Sequence, residues 1–284
     1  MIKEEKMIRM RDGVELFTRI KEVGSPIWIV ATHGIGEHSE RHNYLLDLFA
    51  QYFNIFQYDL RGHGKSGGAR ADVKNFSEFN QDLEELLKFL VESYRMKRYL
   101  MFGHSMGALI TAGTVQNYMK EIEGPEKIFF CAPPAGYSDT LGKLIDYLPA
   151  HIFDKIGTSR YSMKLGGLVD LNYLSHDPRV KDNYIHDPLN ELKIHTRLLF
   201  GMVHASKEVF SRPIRAKCPA FCVVGGEDRI VNPLSLKRYF ENIEKTFQFN
   251  IIEGGYHELH NEIEKYRKPY FEILKNFFME CLYR

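Results

Sequence analysis

Two short runs of this chain set a serine between glycines. Gly103-His104-Ser105-Met106-Gly107 is one and Gly64-Lys65-Ser66-Gly67-Gly68 is the other. A serine in G-x-S-x-G serves acyl transfer only where a sharp strand-to-helix turn lifts its hydroxyl above a sheet. The flanking glycines relieve the crowding of that turn. Ser105 follows the apolar run Tyr99-Leu100-Met101-Phe102 directly and opens a helical pattern. Ser66 trails Arg61-Gly62-His63-Gly64-Lys65, and Gly67-Gly68-Ala69 does not start a helix. Context therefore selects Ser105 as the nucleophile and leaves Ser66 as a loop residue. Nor is Gly64-Lys65-Ser66 a phosphate-binding loop, because the first glycine of that motif would fall on Asp59.

A serine hydroxyl needs a base, and the base needs a third group to orient it. Phe221-Cys222-Val223-Val224 runs into Gly225-Gly226-Glu227-Asp228, and the apolar run 247–252 leads to Gly254-Gly255-Tyr256-His257. Asp228 and His257 thus follow strand ends, on the edge that carries Ser105 and in the chain order serine, acid, histidine. Glu227 is the alternative acid, with Asp228 favoured. Acyl transfer also needs donors for the oxyanion. The N–H of Met106, just after the nucleophile, is one candidate. The second is Ile35 in His33-Gly34-Ile35-Gly36, where glycines let the backbone turn an N–H inward; the alternative there is a plain tight turn. With 12 histidines in the chain, any single one carries little weight. His257-Glu258-Leu259-His260 spaces its histidines three apart where a zinc helix needs four, so no metal and no other cofactor is expected.

Residues so arranged require strands that end at one edge. Continuous apolar runs at 27–32, 55–60, 99–102, 127–132, 220–224 and 247–252 have the pattern of strands covered on both faces. Before them, Arg11-Asp12-Gly13 between 7–10 and 14–18 predicts a hairpin. Phe76, Phe79, Leu83, Leu86, Leu87, Leu90 and Val91 trace one helical face, and a second helix runs from Ser105 through Met119. Strands alternating with amphipathic helices imply an α/β fold, a mostly parallel sheet flanked by helices. The alternation stops after Pro133-Pro134 and resumes at Ala220. We therefore read residues 1–133 and 210–284 as two parts of one core, and 134–209 as an inserted helical cap on the ligand side, the alternative being a simple extra helical layer. Within the cap, residues 141–156 form an amphipathic stretch. Its polar face carries Lys143, Asp146, Asp154 and Lys155, which suits a packed cap helix better than a membrane-lying one.

Composition narrows the function further. The chain has 284 residues, with 38 basic and 37 acidic side chains and a net charge of +1, which argues against nucleic-acid binding. Its 44% hydrophobic, 26% charged and 13% aromatic content excludes intrinsic disorder. Cys131, Cys218, Cys222 and Cys281 form no C-x-x-C pair and are expected as buried free thiols. Residues 1–6 lack an apolar signal region, and no run reaches the roughly 20 apolar residues of a membrane span. The expected location is cytoplasmic, with peripheral membrane contact through the cap as the alternative to a wholly soluble life.

Taken together, these runs resemble the α/β-hydrolase superfamily and, within it, monoacylglycerol lipases and lysophospholipases. The resemblance rests on the runs 33–39 (His-Gly-Ile-Gly-Glu-His-Ser), 59–66 (Asp-Leu-Arg-Gly-His-Gly-Lys-Ser), 103–107, 226–228 and 257–262. A similar phrase, His176-Asp177-Pro178 then His186-Asp187-Pro188-Leu189, lies in the cap. The likeness is thinnest between 135 and 175. Gly107-Ala108 stands where many relatives have two glycines, adding one methyl near the helix start. It implies hydrolysis of a single fatty acyl ester with a small polar head such as glycerol, without a cofactor. Ser105, Asp228 and His257 match the triad; Ile35 and Met106 match the oxyanion donors. Glu37, Arg41 and His260 fall where relatives place polar groups near the alcohol end of the pocket. The alternative for Glu37 is a buried carboxylate tying the oxyanion loop to Arg41 or Arg61. A lysophospholipase, a broad carboxylesterase or a proline-type aminopeptidase would use the same frame, and a non-catalytic binding protein of this fold is the remote alternative.

Overall fold

The computed structural model describes residues 4–119, 121–136, 149, 152–153, 161–167 and 169–283. Strands β1 (Glu4–Arg9) and β2 (Glu15–Lys21) form the expected antiparallel hairpin, with Met7 opposite Phe17. Next come β3 (Ile27–Thr32), β4 (Asn54–Tyr58), β5 (Arg98–His104) and β6 (Lys127–Cys131), each within two residues of its apolar run. Every residue of β3, β4 and β6 is buried, as strands covered on both faces must be. A separate antiparallel ladder joins β7 (Lys164–Gly166) to β8 (Lys193–His195). Strands β9 (Ala220–Gly225) and β10 (Phe247–Ile252) return to the main sheet, whose order is β1-β2-β4-β3-β5-β6-β9-β10. Only β1–β2 and β2–β4 pair antiparallel among these eight. The mostly parallel sheet read from the sequence is the sheet observed.

Helices flank it: α1 (Tyr44–Phe49), α2 (Ser77–Tyr94), α3 (Met106–Asn117), α4 (Pro178–His186), α5 (Thr196–Val209), α6 (Pro233–Asn242) and α7 (Glu264–Met279). The stripe of α2 buries Phe79, Leu83, Leu86, Leu87 and Leu90, but Val91 lies at its margin and is 40% exposed. Helix α3 is buried on every side through Thr114, because it is packed by the sheet, α2 and α5. At the opposite end of the sheet, the buried Lys127 donates to the Phe277 carbonyl (2.6 Å) and to Glu280 (2.5 Å), fastening α7 to β6.

Between β6 and β9, α4, the β7–β8 ladder and α5 are described, whereas the amphipathic stretch 141–156 lies outside the described residues except for Pro149, Ile152 and Phe153. Strands of three residues are too short for hydropathy alternation to register, which is why the sequence shows none there. Among the described residues, no helix is long and apolar enough to cross a membrane. None of the four cysteines forms a disulfide; Cys131, Cys222 and Cys281 are buried and Cys218 is half-buried.

Candidate active site

Strand β5 ends at His104 and α3 begins at Met106, so Ser105 occupies the turn alone, at φ 51° and ψ −122°. A positive φ on serine costs on the order of 1–3 kcal/mol and persists only when its surroundings fix it. Those surroundings are tight. A side chain at Gly107 would overlap the Thr32 carbonyl oxygen, and one at Gly103 would come within 2.6 Å of the Ala108 Cα. Ala108 itself is fully buried in this contact, so its methyl is accommodated. The Ser105 N–H donates to the Cys131 carbonyl on β6 at 2.8 Å. Ser66, by contrast, donates to the Asp59 carbonyl (2.6 Å) and accepts from the Phe17 N–H (2.9 Å), as a structural loop serine does.

Asp228 follows β9 and His257 follows β10, on the edge where β5 ends. His257 Nδ1 is 2.7 Å from Asp228 Oδ2, and His257 Nε2 is 3.1 Å from Ser105 Oγ. Ile230 and Val231 donate their N–H groups to Asp228 Oδ1 at 2.8 and 3.0 Å. An ionised carboxylate only accepts, so His257 carries its proton on Nδ1 and turns a lone pair on Nε2 toward the serine. Burial pushes the His257 pKa down, but the charge of Asp228 and its hydrogen bond more than offset this, leaving it above the ordinary 6.5. Glu227 is exposed and Asp228 is buried, so of the two acids considered it is Asp228 that meets the imidazole.

The loop after β3 is held as firmly. Leu60 donates its N–H to His33 Nε2 at 2.9 Å, which puts the His33 proton on Nδ1, where it is donated to the Gly34 carbonyl at 2.8 Å. Burial drives the His33 pKa down to about 3, so the ring is neutral. The Gly34 N–H donates to Glu37 Oε1 at 2.5 Å. In a trans peptide the N–H and C=O point oppositely, so the Ile35 N–H faces away from His33. Met106, the first residue of α3, has an amide with no intrahelical acceptor. A cavity of about 290 Å³ opens above, lined by Ile35, Ser105 and His257 and by the apolar side chains of Leu165, Leu171, Leu174 and Ile194.

The three polar residues expected at the alcohol end are not equivalent. Glu37 lines the cavity, yet its carboxylate also receives His104 Nδ1 (2.9 Å), His42 Nε2 (3.1 Å) and Arg41 Nε (3.3 Å). Burial opposes its ionisation, but His42 and His104 hold its pKa well below the usual carboxylate range. Arg41 spans Glu37 and Glu258, donating to the latter at 2.5 and 2.7 Å, while Arg61 binds Asp12, Glu78 and Asp82 instead. His260 is buried behind the cavity wall, 5.0 Å from the Tyr44 ring and 4.8 Å from that of His42. Glu37, His42 and His104 bring metal-ligand atoms within 4.8 Å of one another; here both imidazoles meet one carboxylate oxygen at hydrogen-bond distance.

Sequence reasoning missed the partners that fasten this edge. The Gly36 carbonyl accepts from the Tyr184 hydroxyl and the Glu191 N–H, both at 2.8 Å. Buried Glu262 accepts from His176 Nδ1 (2.7 Å) and from the Tyr256 N–H (2.9 Å), tying the segment before α4 to the His257 loop. These are single residues without periodicity or motif chemistry, and only the quoted likenesses around 176–189 and 257–262 touched them.

A family model described as serine aminopeptidase, S33 matches residues 27–264. A monoacylglycerol lipase of Mycolicibacterium smegmatis is 24% identical over 252 residues, spanning 84% of this chain and 83% of that protein. The monoglyceride lipase of Rattus norvegicus is 28% identical over 262 residues, spanning 89% of this chain and 82% of that one. The crystal structure of Paleococcus ferrophilus monoacylglycerol lipase superposes with a TM-score of 0.80 at 24% identity, covering 93% of this chain and 98% of that one.

Proposed function

The chain belongs to the serine aminopeptidase S33 family of α/β-hydrolases, and from that membership we propose that it is a carboxylic ester hydrolase that cleaves monoacylglycerols. The observation that carries this reading is the unbroken line Ser105–His257–Asp228 on the floor of an apolar cavity. Ser105 attacks the ester carbonyl as His257 takes its proton, and Asp228 stabilises the imidazolium. The Ile35 and Met106 N–H groups bind the oxyanion. His257 then protonates the leaving glycerol, and water repeats the sequence on the acyl-enzyme.

In this reading residues 134–209 form the cap, and Leu165, Leu171, Leu174, Ile185 and Leu192 receive the acyl chain. Exposed Ile185 (38%) and Leu192 (45%) at the cavity suit delivery of substrate from a lipid surface. The cavity's charges favour a neutral head group. No lysine or arginine lines it among the described residues to pair with a phosphate, and its carboxylates are Glu37, Glu191 and Glu258. Each of these carboxylates is already engaged by Arg41 or Arg70, which disfavours an incoming peptide ammonium. A lysophospholipase or broad carboxylesterase on the same residues is the alternative.

The test is a hydrolysis panel with wild type and Ser105→Ala. Monoacylglycerols of graded chain length, lysophosphatidylcholine, di- and triacylglycerol and a proline anilide would be compared. Fast Ser105-dependent release from monoacylglycerols alone is expected. Equal or faster turnover of the lysophospholipid would move the function to the alternative, and activity retained by Ser105→Ala would remove the nucleophile.

A further inference from the structure

One carboxylate oxygen touches both backbone segments that hold the expected oxyanion donors. Glu37 Oε1 receives the N–H of Gly34, the residue before Ile35, and the Nδ1–H of His104, two residues before Met106. A side chain at Gly34 would sit 2.8 Å from Glu37 Oε1 and 3.1 Å from the Ser105 Cβ, which shows how closely loop, carboxylate and serine turn approach.

Building on the assignment of Ser105 as nucleophile, we propose that Glu37 is a positioning residue: it pins the His33–Gly34 peptide against the serine turn and so fixes the Gly34 Cα that carries the next peptide, presetting the Ile35 N–H for the oxyanion, and does not bind the leaving alcohol. A carboxylate offers about four lone-pair sites. Here Oε1 takes three donors, Gly34, His42 and His104, and Oε2 takes Arg41. The oxygen that meets the serine turn is thus saturated, and a glycerol hydroxyl could reach only the second lone pair of Oε2, beside Arg41. His33 holds the next peptide, Gly34–Ile35, through the Gly34 carbonyl, so the planes on both sides of the Gly34 Cα are fixed. Arg41 carries the connection on to Glu258, the neighbour of His257. A donor fixed before reaction needs no reorganisation as charge develops, so the benefit falls on the transition state and not on substrate binding.

The experiment uses Glu37→Asp, which keeps the charge but withdraws it by one methylene, and Glu37→Gln, which keeps the length and an acceptor for Gly34. Each is assayed on a monoacylglycerol and on the methyl ester of the same fatty acid, which has no glycerol hydroxyls. Glu37→Asp is expected to lower kcat about 10²–10³-fold on both esters, with KM changed by no more than about threefold. Its affinity for an alkyl trifluoromethyl ketone, which adds to the serine hydroxyl as a hemiketal oxyanion, should fall by the same factor as kcat/KM. Glu37→Gln should lose less, again equally on both esters; should the aspartate variant not fold, this isosteric one carries the comparison. A loss confined to the glycerol ester would make Glu37 an alcohol ligand and overturn the proposal. An unchanged kcat, or a lost kcat with unchanged ketone affinity, would overturn it too. Absence of Ser105-dependent hydrolysis of either ester by the wild type would instead defeat the functional reading beneath it.

Discussion

Replacing Asp228 by Asn would invert the imidazole without emptying the site. Asp228 Oδ1 accepts the Ile230 and Val231 N–H groups, so an asparagine there keeps its own oxygen on that side. Its amide NH₂ is then directed at His257 Nδ1, which is 2.7 Å from the present Oδ2. Two donors cannot share that contact. His257 responds by moving its proton to Nε2, the nitrogen 3.1 Å from Ser105 Oγ, and the base is lost although every atom remains in place. The expected loss in kcat is about 10⁴-fold, the size found for the same exchange in serine proteases, or about 5.4 kcal/mol of barrier. Because both backbone donors stay satisfied, thermal unfolding should shift little. The assay is steady-state hydrolysis of a soluble short-chain ester near pH 8 with a melting curve on the same sample. Glu227→Gln, an exposed neighbour, is the control and should stay within about twofold of wild type, as surface changes usually do. A loss in Asp228→Asn below about tenfold would refute the tautomer argument, and a large loss in Glu227→Gln would move the acid by one residue.

His257 must be neutral to accept a proton, and its pKa is raised above 6.5, so activity falls as pH drops through that raised value. A kcat/KM profile with its acid limb centred below 6.5 would contradict the pairing. Gly107→Ala drives a methyl into the Thr32 carbonyl, forcing α3 off β3. Urea unfolding should show a loss of about 1–3 kcal/mol, with reduced kcat as the serine turn moves; an unaffected variant would mean the helix can shift freely. Arg61→Ala strands the buried Asp82, which Arg61 holds through two nitrogens at 2.5 and 2.6 Å. A destabilisation of about 3–5 kcal/mol is expected, and a loss below about 1 kcal/mol would show that Asp82 is relieved by other means.

What the sequence revealed follows from how each feature is encoded. Strand β3 was legible to the residue because burial of both faces writes a continuous apolar run with sharp ends. Strand β10 also falls on its expected residues, but it is not covered on both faces as expected: it is the sheet's edge, and Gln248 and Asn250 are exposed. Strand β5 extended past its run to His104, since the ladder to β6 continues through Gly103 and His104, which hydropathy does not mark. Ser105, Asp228 and His257 stood out because strand, glycine and polar residue recur together, and the structure does bring them within hydrogen-bond reach of one another. Nothing distinguished His42 and His104 from the other histidines, because their importance lies in converging on Glu37 from separate elements. Glu262 is the same case: its donors come from residues 175–176, 256 and 263, a convergence visible only in three dimensions.

The strand order also has a consequence for synthesis. Strand β6 pairs with β5 on one side and with β9 on the other, and the 88 residues from 132 to 219 separate β6 from β9 in the chain. At ribosomal rates of about 5–20 residues per second, the nascent sheet would present its Ile128-Phe129-Phe130 edge unpaired for on the order of 4–18 s. During that interval the serine turn is already made, whereas Asp228 and His257 have not left the ribosome. A chain released near residue 219 would therefore be inactive and adhesive at once, so shielding of that edge during elongation should set how much enzyme a cell obtains.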